Sequence, residues 1–131
     1  MLDSNVLFSA FYLKDSAIAN MVKFIKTNHT IVLCNCIITE TKENFLEKYP
    51  DKYQKLDEYL DSIYDELYDL ENIDLKKYPN IRDIDDIEIL ATAIETNVDI
   101  LITGDTDFHT VYINKPNILT PKQFRDKYIK Y

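Results

Sequence analysis

Residues 82–108 read RDIDDIEILATAIETNVDILITGDTDF, and this stretch combines a helix pattern with a short apolar run. Asp85, with Glu88 three residues later, has the form of a capping box, so we predict a helix from Asp85 to about Thr96. The apolar run over 98–103 predicts a buried strand, which ends in a turn at Gly104. A helix followed by a short buried strand is the repeating unit of a parallel α/β sheet.

The rest of the chain continues this alternation of helices and strands. In chain order, the predicted elements are a strand ending near Asp3, a helix from Ser4 or Asn5 toward Lys14, a helix opened by Asp15 or Ser16 and closed by Asn28 and His29, a strand over 30–34, helices over 37–48 and 51–72, a strand over 117–119 and a helix opened by Thr120 and Pro121. This order predicts an α/β fold in which helices flank a parallel β-sheet, as in an α/β/α sandwich.

The composition indicates one globular domain over residues 1–131. Hydrophobic residues make up 46% of the 131 positions, and one glycine with four prolines leaves no flexible linker. No uninterrupted apolar stretch of about 18 residues occurs, and the N-terminal apolar run is interrupted by Asp3. We therefore expect a cytoplasmic protein with no membrane association.

Two cysteines, Cys34 and Cys36, lie two residues apart in a predicted strand. Side chains on one face of a strand do not easily form a disulfide at this spacing, and no histidine or second cysteine pair completes a zinc pattern. We predict two buried thiols that pack as small apolar side chains.

The net charge of −8 is unevenly distributed. Eight acidic residues and no Lys or Arg lie between Asp57 and Asp74, whereas five basic residues and one acid lie between His109 and Tyr131. A strongly acidic protein is a poor general binder of nucleic acid, but this pattern leaves room for a local basic face. Ordinary surface lysines on a solvated C-terminal helix explain the same pattern equally well.

Four acidic residues stand where an apolar run ends or a helix begins: Asp3, Glu40, Asp86 and Asp105. In a parallel α/β sheet such positions meet beyond the carboxyl ends of the strands. Carboxylates gathered there repel one another unless they hold protons or share a cation. Ligands that are all oxygen favour Mg²⁺ or Mn²⁺, so we predict a magnesium or manganese site.

Each acid also has a purely structural explanation. Asp3 and Asp86 suit the start of a helix, Glu40 suits a solvated helix surface, and Asp105 with Asp107 suits a turn. The joint occurrence of the acids favours a functional site, whereas Asp83 and Asp85 are assigned mainly to capping.

Four motifs in order resemble those of PIN domains, and in particular the VapC-like toxin nucleases of toxin–antitoxin pairs. They are LDSNV near the N-terminus, ETKENF around the second acid, RDIDDIEILATA and TGDTDF. The resemblance covers nearly the whole chain. It implies a PIN-like α/β/α sandwich that hydrolyses RNA with Mg²⁺ or Mn²⁺ and leaves 5′-phosphate and 3′-hydroxyl ends.

The resemblance also implies roles for particular residues and partners. Asp3, Glu40, Asp86 and Asp105 would be the catalytic, metal-binding acids, with Asp107 as a further ligand and with Asn5 and Thr103 as supporting hydrogen-bonding residues. The implied partners are RNA, an antitoxin protein and a second copy of the chain. No motif identifies the substrate-binding residues, although Arg82, Lys115, Lys122 and Arg125 suit phosphate, and His109 suits either phosphate or a solvated surface.

Other classes of protein remain open at this stage. The chain departs from the family pattern because Ile87 and Glu88 stand where the toxins usually carry an acid and a lysine. A PIN-like module that binds RNA or protein without cleavage is therefore one alternative. A phosphatase or receiver domain also gathers aspartates at strand ends, but Asn5 stands where a haloacid-type phosphatase has its second aspartate, and Asp85 and Asp86 open a helix.

Overall fold

Short parallel strands and the helices between them form the fold. The structure is a computed structural model that describes residues 1–130. Within this range the α-helices are α1 Ser4–Tyr12, α2 Ala17–Asn28, α3 Asn35–Lys48, α4 Tyr53–Ile63, α5 Ile84–Glu95 and α6 Pro121–Tyr128, and the strands are β1 Val32–Cys34, β2 Glu66–Tyr68, β3 Ile100–Ile102 and β4 Asn117–Leu119. The predicted α/β class with parallel strands and flanking helices is confirmed.

The strands pair in parallel as two neighbouring couples. Leu33 of β1 lies opposite Leu67 of β2, and Leu101 of β3 lies opposite Ile118 of β4. The N-terminal segment joins the second couple through a parallel bridge between Leu2 and Ile102. The carboxyl end of β3 therefore lies beside the start of α1, which brings the residues after Ile102 close to Asp3.

A single cluster of buried apolar side chains packs between the sheet and the helices. Leu2, Leu33 and Leu101 line its strand side, and Phe45 from α3 and Leu90 from α5 fill its helix side. Because short strands offer few backbone hydrogen bonds, burial of these side chains is the main stabilising contribution.

Helix caps agree with the sequence at some positions and differ at others. Ser16 caps α2, and Thr120 with Gln123 forms a capping box at α6. The predicted capping box of Asp85 and Glu88 is wrong, since the side chain of Asp83 accepts the hydrogen bond from the Asp85 N–H. Capping by Asp83 places Asp86 in the first turn of α5.

The predicted long helix over 51–72 is also wrong. Helix α4 ends at Ile63, because the next residues hydrogen-bond to the segment before β1. Asp65 accepts the Ile31 N–H at 2.8 Å, and the N–H groups of Asp65 and Glu66 both donate to the Ile31 carbonyl oxygen. The chain then continues as β2. Apolar residues recur at helical spacing throughout 53–70, but only Leu56, Leu60 and Ile63 among them are buried.

The prediction of two separate thiols is wrong as well. The structure joins Cys34 and Cys36 in a disulfide, with a Cα–Cα distance of 5.1 Å. Strand β1 ends at Cys34 and α3 begins at Asn35, so the two side chains are not held on one face of a strand. The turn into the helix brings their sulfur atoms together, which an extended chain would not do.

Among the described residues, no helix has the length and apolar character needed to cross a membrane.

Substitution of Phe45 by alanine should lower the free energy of unfolding by about 3–5 kcal/mol. The ring is fully buried and contacts the rings of Phe8, Phe11 and Tyr49. Urea unfolding measures the change. Tyr112→Ala is the matched control because Tyr112 is fully exposed, and its effect should stay within about 0.5 kcal/mol. Equal effects of the two substitutions would contradict this packing.

Candidate metal centre

Helix α5 presents Asp86 at its N-terminal turn. The residue is 5% exposed, and its Oδ2 atom has no hydrogen-bond partner among the described residues. A buried carboxylate oxygen without a partner is costly unless another group reaches it. The orphaned oxygen is therefore the atom that most needs an external ligand.

The loop after β3 presents two more carboxylates. Thr103 is fully buried, and its Oγ1 atom accepts the Asp105 N–H at 3.0 Å. Asp105 Oδ1 in turn accepts the Asp107 N–H at 2.9 Å. These bonds fold the loop back on itself, so that both side chains face α5.

Asp86, Asp105 and Asp107 come together at the junction of the loop and α5. Each offers one carboxylate oxygen, and the three oxygens lie within 4.8 Å of one another. This spacing is small enough for a single cation to contact all three. Arg82 already pairs with this group, since its Nε donates to Asp107 Oδ2 at 3.1 Å.

Asp3 lies beside this group and is almost fully engaged by its neighbours. It is 2% exposed, and its Oδ1 atom accepts the Ser4 N–H at 2.7 Å as the cap of α1. Its Oδ2 atom accepts the Thr103 hydroxyl at 2.6 Å and the Asn5 amide at 3.0 Å. Asn5 also accepts the Gly104 N–H, so it joins α1 to the loop after β3.

Glu40 reaches the same region from α3. The Ser4 hydroxyl donates to Glu40 Oε1 at 2.8 Å. Ser4 thus contacts two acids at once, Asp3 through its N–H and Glu40 through its hydroxyl. Sequence reasoning did not single out Ser4 for this role, although a polar residue directly after Asp3 was a signal that could have done so.

The pKa shifts show which carboxylates lie close enough to repel one another. Burial, followed by the charges of Asp105, Asp3, Asp83 and Glu40, raises the pKa of Asp86 to about 7. Burial also raises the pKa of Asp3 above its usual range, against the opposing effect of its hydrogen bonds. The pKa of Glu40 is raised first by burial and then by Asp3, Asp83 and Asp85. All of these shifts are in the direction that a bound cation would reverse.

The predicted site residues thus fall into two sets. Asp86, Asp105 and Asp107 share the closest approach, whereas Asp3 and Glu40 lie next to them without joining the 4.8 Å group. Of the proposed phosphate contacts, Arg82 is bound to Asp107, and His109 Nε2 lies 2.9 Å from the Thr103 carbonyl oxygen. Asp83 was assigned mainly to capping, and its charge also raises the pKa of Asp86.

The donor set fits a hard divalent cation. Every candidate ligand is a carboxylate oxygen, and Asp86 Oδ2 is buried without a partner in the described residues. Such ligands suit Mg²⁺ or Mn²⁺ better than zinc, which favours nitrogen and sulfur.

Parallel strands, flanking helices and a group of acids beyond the end of β3 define a PIN-like α/β protein. A family model described as PIN domain matches residues 1–107, and the chain belongs to this family. Its fold is similar to that of a chain in the "Crystal structure of VapBC2 from Rickettsia felis bound to a DNA fragment from their promoter", with a TM-score of 0.67 and 19% identity. The match covers 91% of this chain and 95% of that one. No curated protein matches the sequence.

The contribution of Asp86 to the stability of the metal-free protein should fall as the pH rises from about 4 to about 7. The folded chain holds a proton on Asp86 up to about pH 7, whereas the unfolded chain releases it near the ordinary aspartate pKa of 3.8, so ionisation favours unfolding. Asp86→Asn removes this cost. Its stability relative to wild type should therefore rise by about 1–3 kcal/mol between about pH 5 and about pH 8 in EDTA.

Urea unfolding at the two pH values measures this difference. Asp85→Asn is the control, because Asp85 lies in the same turn of α5 but is exposed. An advantage of Asp86→Asn that stays constant with pH, or one that Asp85→Asn shares, would contradict the electrostatic account.

Proposed function

We propose that this chain is a single-domain, metal-dependent ribonuclease that acts in the cytoplasm as the toxin of a toxin–antitoxin pair. The observation that carries the proposal is the buried, unpartnered Oδ2 of Asp86 within a group of three convergent carboxylates. Membership of the PIN-domain family supports a nuclease in general terms.

The acids would have two different roles in binding Mg²⁺ or Mn²⁺. Asp86, Asp105 and Asp107 would provide the closest ligands, and Asp3 and Glu40 would complete the negative field around them. A cation held there would polarise a phosphoryl oxygen of the RNA and lower the pKa of a bound water. The protein's own contribution to catalysis would be to hold these carboxylates in fixed positions around the cation.

Three polar residues fix those positions. Thr103 bonds to the Asp3 carboxylate and to the Asp105 N–H, so it sets the distance between α1 and the loop after β3. Asn5 spans the same gap through Asp3 and Gly104. Ser4 holds Glu40 against the start of α1. Together they keep the acids in place when no cation offsets their repulsion.

An antitoxin would act by covering or entering the acidic cleft. A cationic side chain suits this place, since Arg82 of the chain itself already pairs with Asp107 there. The similar solved structure is that of VapBC2 from Rickettsia felis bound to a promoter fragment, and by analogy we propose a protein partner for this chain. A homodimer is proposed on the family resemblance alone.

The ion pair between Arg82 and Asp107 favours a second candidate function. A guanidinium in the cluster partly neutralises the acids without a metal, as expected of a PIN-like module that binds RNA or protein and does not cleave. The two candidates differ in whether the intact fold binds Mn²⁺.

Cleavage of single-stranded RNA should require both Mn²⁺ and Asp86. Wild-type protein in Mn²⁺ should cut a labelled RNA, and EDTA or Asp86→Asn should lower the rate by at least about a hundredfold, since removal of a ligand costs more than removal of a residue that only orients one. Denaturing gel electrophoresis over time measures the rate. Asp85→Asn serves as the control and should keep wild-type activity.

Cleavage at equal rates in Mn²⁺, in EDTA and by Asp86→Asn would remove the proposed chemistry. A folded wild-type protein that neither binds Mn²⁺ nor cuts RNA would favour the non-cleaving module.

Thr103→Val should weaken Mn²⁺ binding by about 10- to 100-fold. The substitution keeps the shape of the side chain but removes the hydroxyl that holds Asp3 and the Asp105 N–H. Isothermal titration with Mn²⁺ measures the affinity. Thr106→Val, at an exposed position in the same loop, should leave it unchanged. Equal affinities of the two variants would show that Thr103 does not position the acids.

A further inference from the structure

Helices α1 and α3 lie side by side and contact each other through three successive pairs of side chains. The Ser4 hydroxyl meets Glu40, the Phe8 ring lies 5.2 Å from the Phe45 ring, and the Tyr12 ring lies 5.1 Å from the Tyr49 ring. Positions 4, 8 and 12 form one stripe along α1. The stripe begins at the acids and reaches Tyr12 about 12 Å away along the helix axis.

The end of this stripe that lies farthest from the acids is aromatic and open to solvent. Tyr12 is 45% exposed, and its ring stacks on Tyr49 with an interplanar angle of 26°. Phe8 is half-buried and lies 6.2 Å from Tyr12. The fully buried Phe45 ring packs against the rings of Phe8 and Tyr49, at 5.2 Å and 5.1 Å. Core packing accounts for Phe45 but not for the exposure of Tyr12.

Two lysines lie over the same rings. Lys48 Nζ is 5.7 Å from the centre of the Phe8 ring, and Lys52 Nζ is 5.8 Å from the centre of the Tyr49 ring. Both lysines are exposed, and neither forms an ion pair with a carboxylate in residues 1–130. On a chain of net charge −8, this face therefore combines two ammonium groups with flat aromatic rings.

We propose that Phe8, Tyr12, Tyr49, Lys48 and Lys52, here called the aromatic seam, bind single-stranded RNA. Bases would stack on the rings and phosphates would meet the two ammonium groups, which is how single strands are held without sequence preference. The RNA would extend from the aromatic seam toward the acids, which lie at the opposite end of α1. This inference rests on the proposed function for its direction, but the binding itself requires neither metal nor cleavage.

The chemistry of the seam favours RNA over a protein partner. A protein partner at this face would cover the rings with apolar side chains. It would also pair the two ammonium groups with acidic side chains or leave them outside the interface. The seam instead places two ammonium groups, without a carboxylate partner in residues 1–130, beside stacked rings, which matches a phosphate backbone with exposed bases. Protein binding at this face is therefore an alternative outcome of the test.

Binding is measured in EDTA, so that no cleavage takes place, by fluorescence anisotropy of a labelled single-stranded RNA of about 12 nucleotides. Tyr12→Ala should weaken binding by about 5- to 150-fold, whereas Tyr12→Phe, which keeps the ring, should bind nearly as wild type. Joint replacement of Lys48 and Lys52 by glutamine should weaken binding and reduce its dependence on salt. Tyr112→Ala, at an exposed aromatic residue outside the seam, is the control. Circular dichroism checks that each variant folds.

The outcomes separate this inference from the proposed function. Weaker binding by Tyr12→Ala and by the lysine variant, with Tyr12→Phe unaffected, supports the seam even if wild type cuts no RNA in Mn²⁺. Unchanged binding by folded Tyr12→Ala overturns the seam even if wild type cuts RNA. A change in sedimentation of Tyr12→Ala without a change in RNA binding would also overturn it, since the face would then join copies of the chain.

Discussion

Repulsion among carboxylates held away from water is the constraint on which the centre depends. Asp3 and Asp86 are almost fully buried, and burial with neighbouring charge raises the pKa of both. The fold compensates Asp3 with three hydrogen-bond donors and Asp107 with a guanidinium, but residues 1–130 offer no hydrogen-bond partner to Asp86 Oδ2. The acids are therefore compensated unequally, and this buried oxygen is where a cation would have the largest effect.

The sequence located the acids better than it located their geometry. Asp86 and Asp105 were predictable because one opens a helix and the other follows a buried strand, positions that parallel sheets bring together. The engagement of Asp3 was not predictable in detail, since it depends on a hydroxyl 100 positions away at Thr103. The separation of Glu40 from the tightest group was also invisible, because it depends on how α3 sits against α1. Contacts between distant elements set both features, and local patterns carry no information about them.

The difference between local patterns and long-range contacts also explains which elements of the fold the sequence predicted. Helical periodicity and caps predicted α1, α2 and α3 closely, and the apolar runs predicted β1 and β4. The prediction failed between Ile63 and Glu66, where the apolar repeat continues. There Asp65 accepts a hydrogen bond from the Ile31 N–H, so the helix ends at Ile63 and a strand begins at Glu66. It failed again at α5, because Asp83 and Asp85 suit a cap equally and only the folded chain decides between them. In both places a long-range or side-chain hydrogen bond outweighed a local preference.

The contact between Asp3 and Thr103 joins the first residues of the chain to the last part of the centre. Ribosomes add roughly 5–20 residues per second, so about 5–20 seconds separate the synthesis of these two groups. During that interval the growing polypeptide holds Asp3 without Thr103, Asp105 or Asp107. The group of acids can therefore assemble only after residues 103–107 have been synthesised.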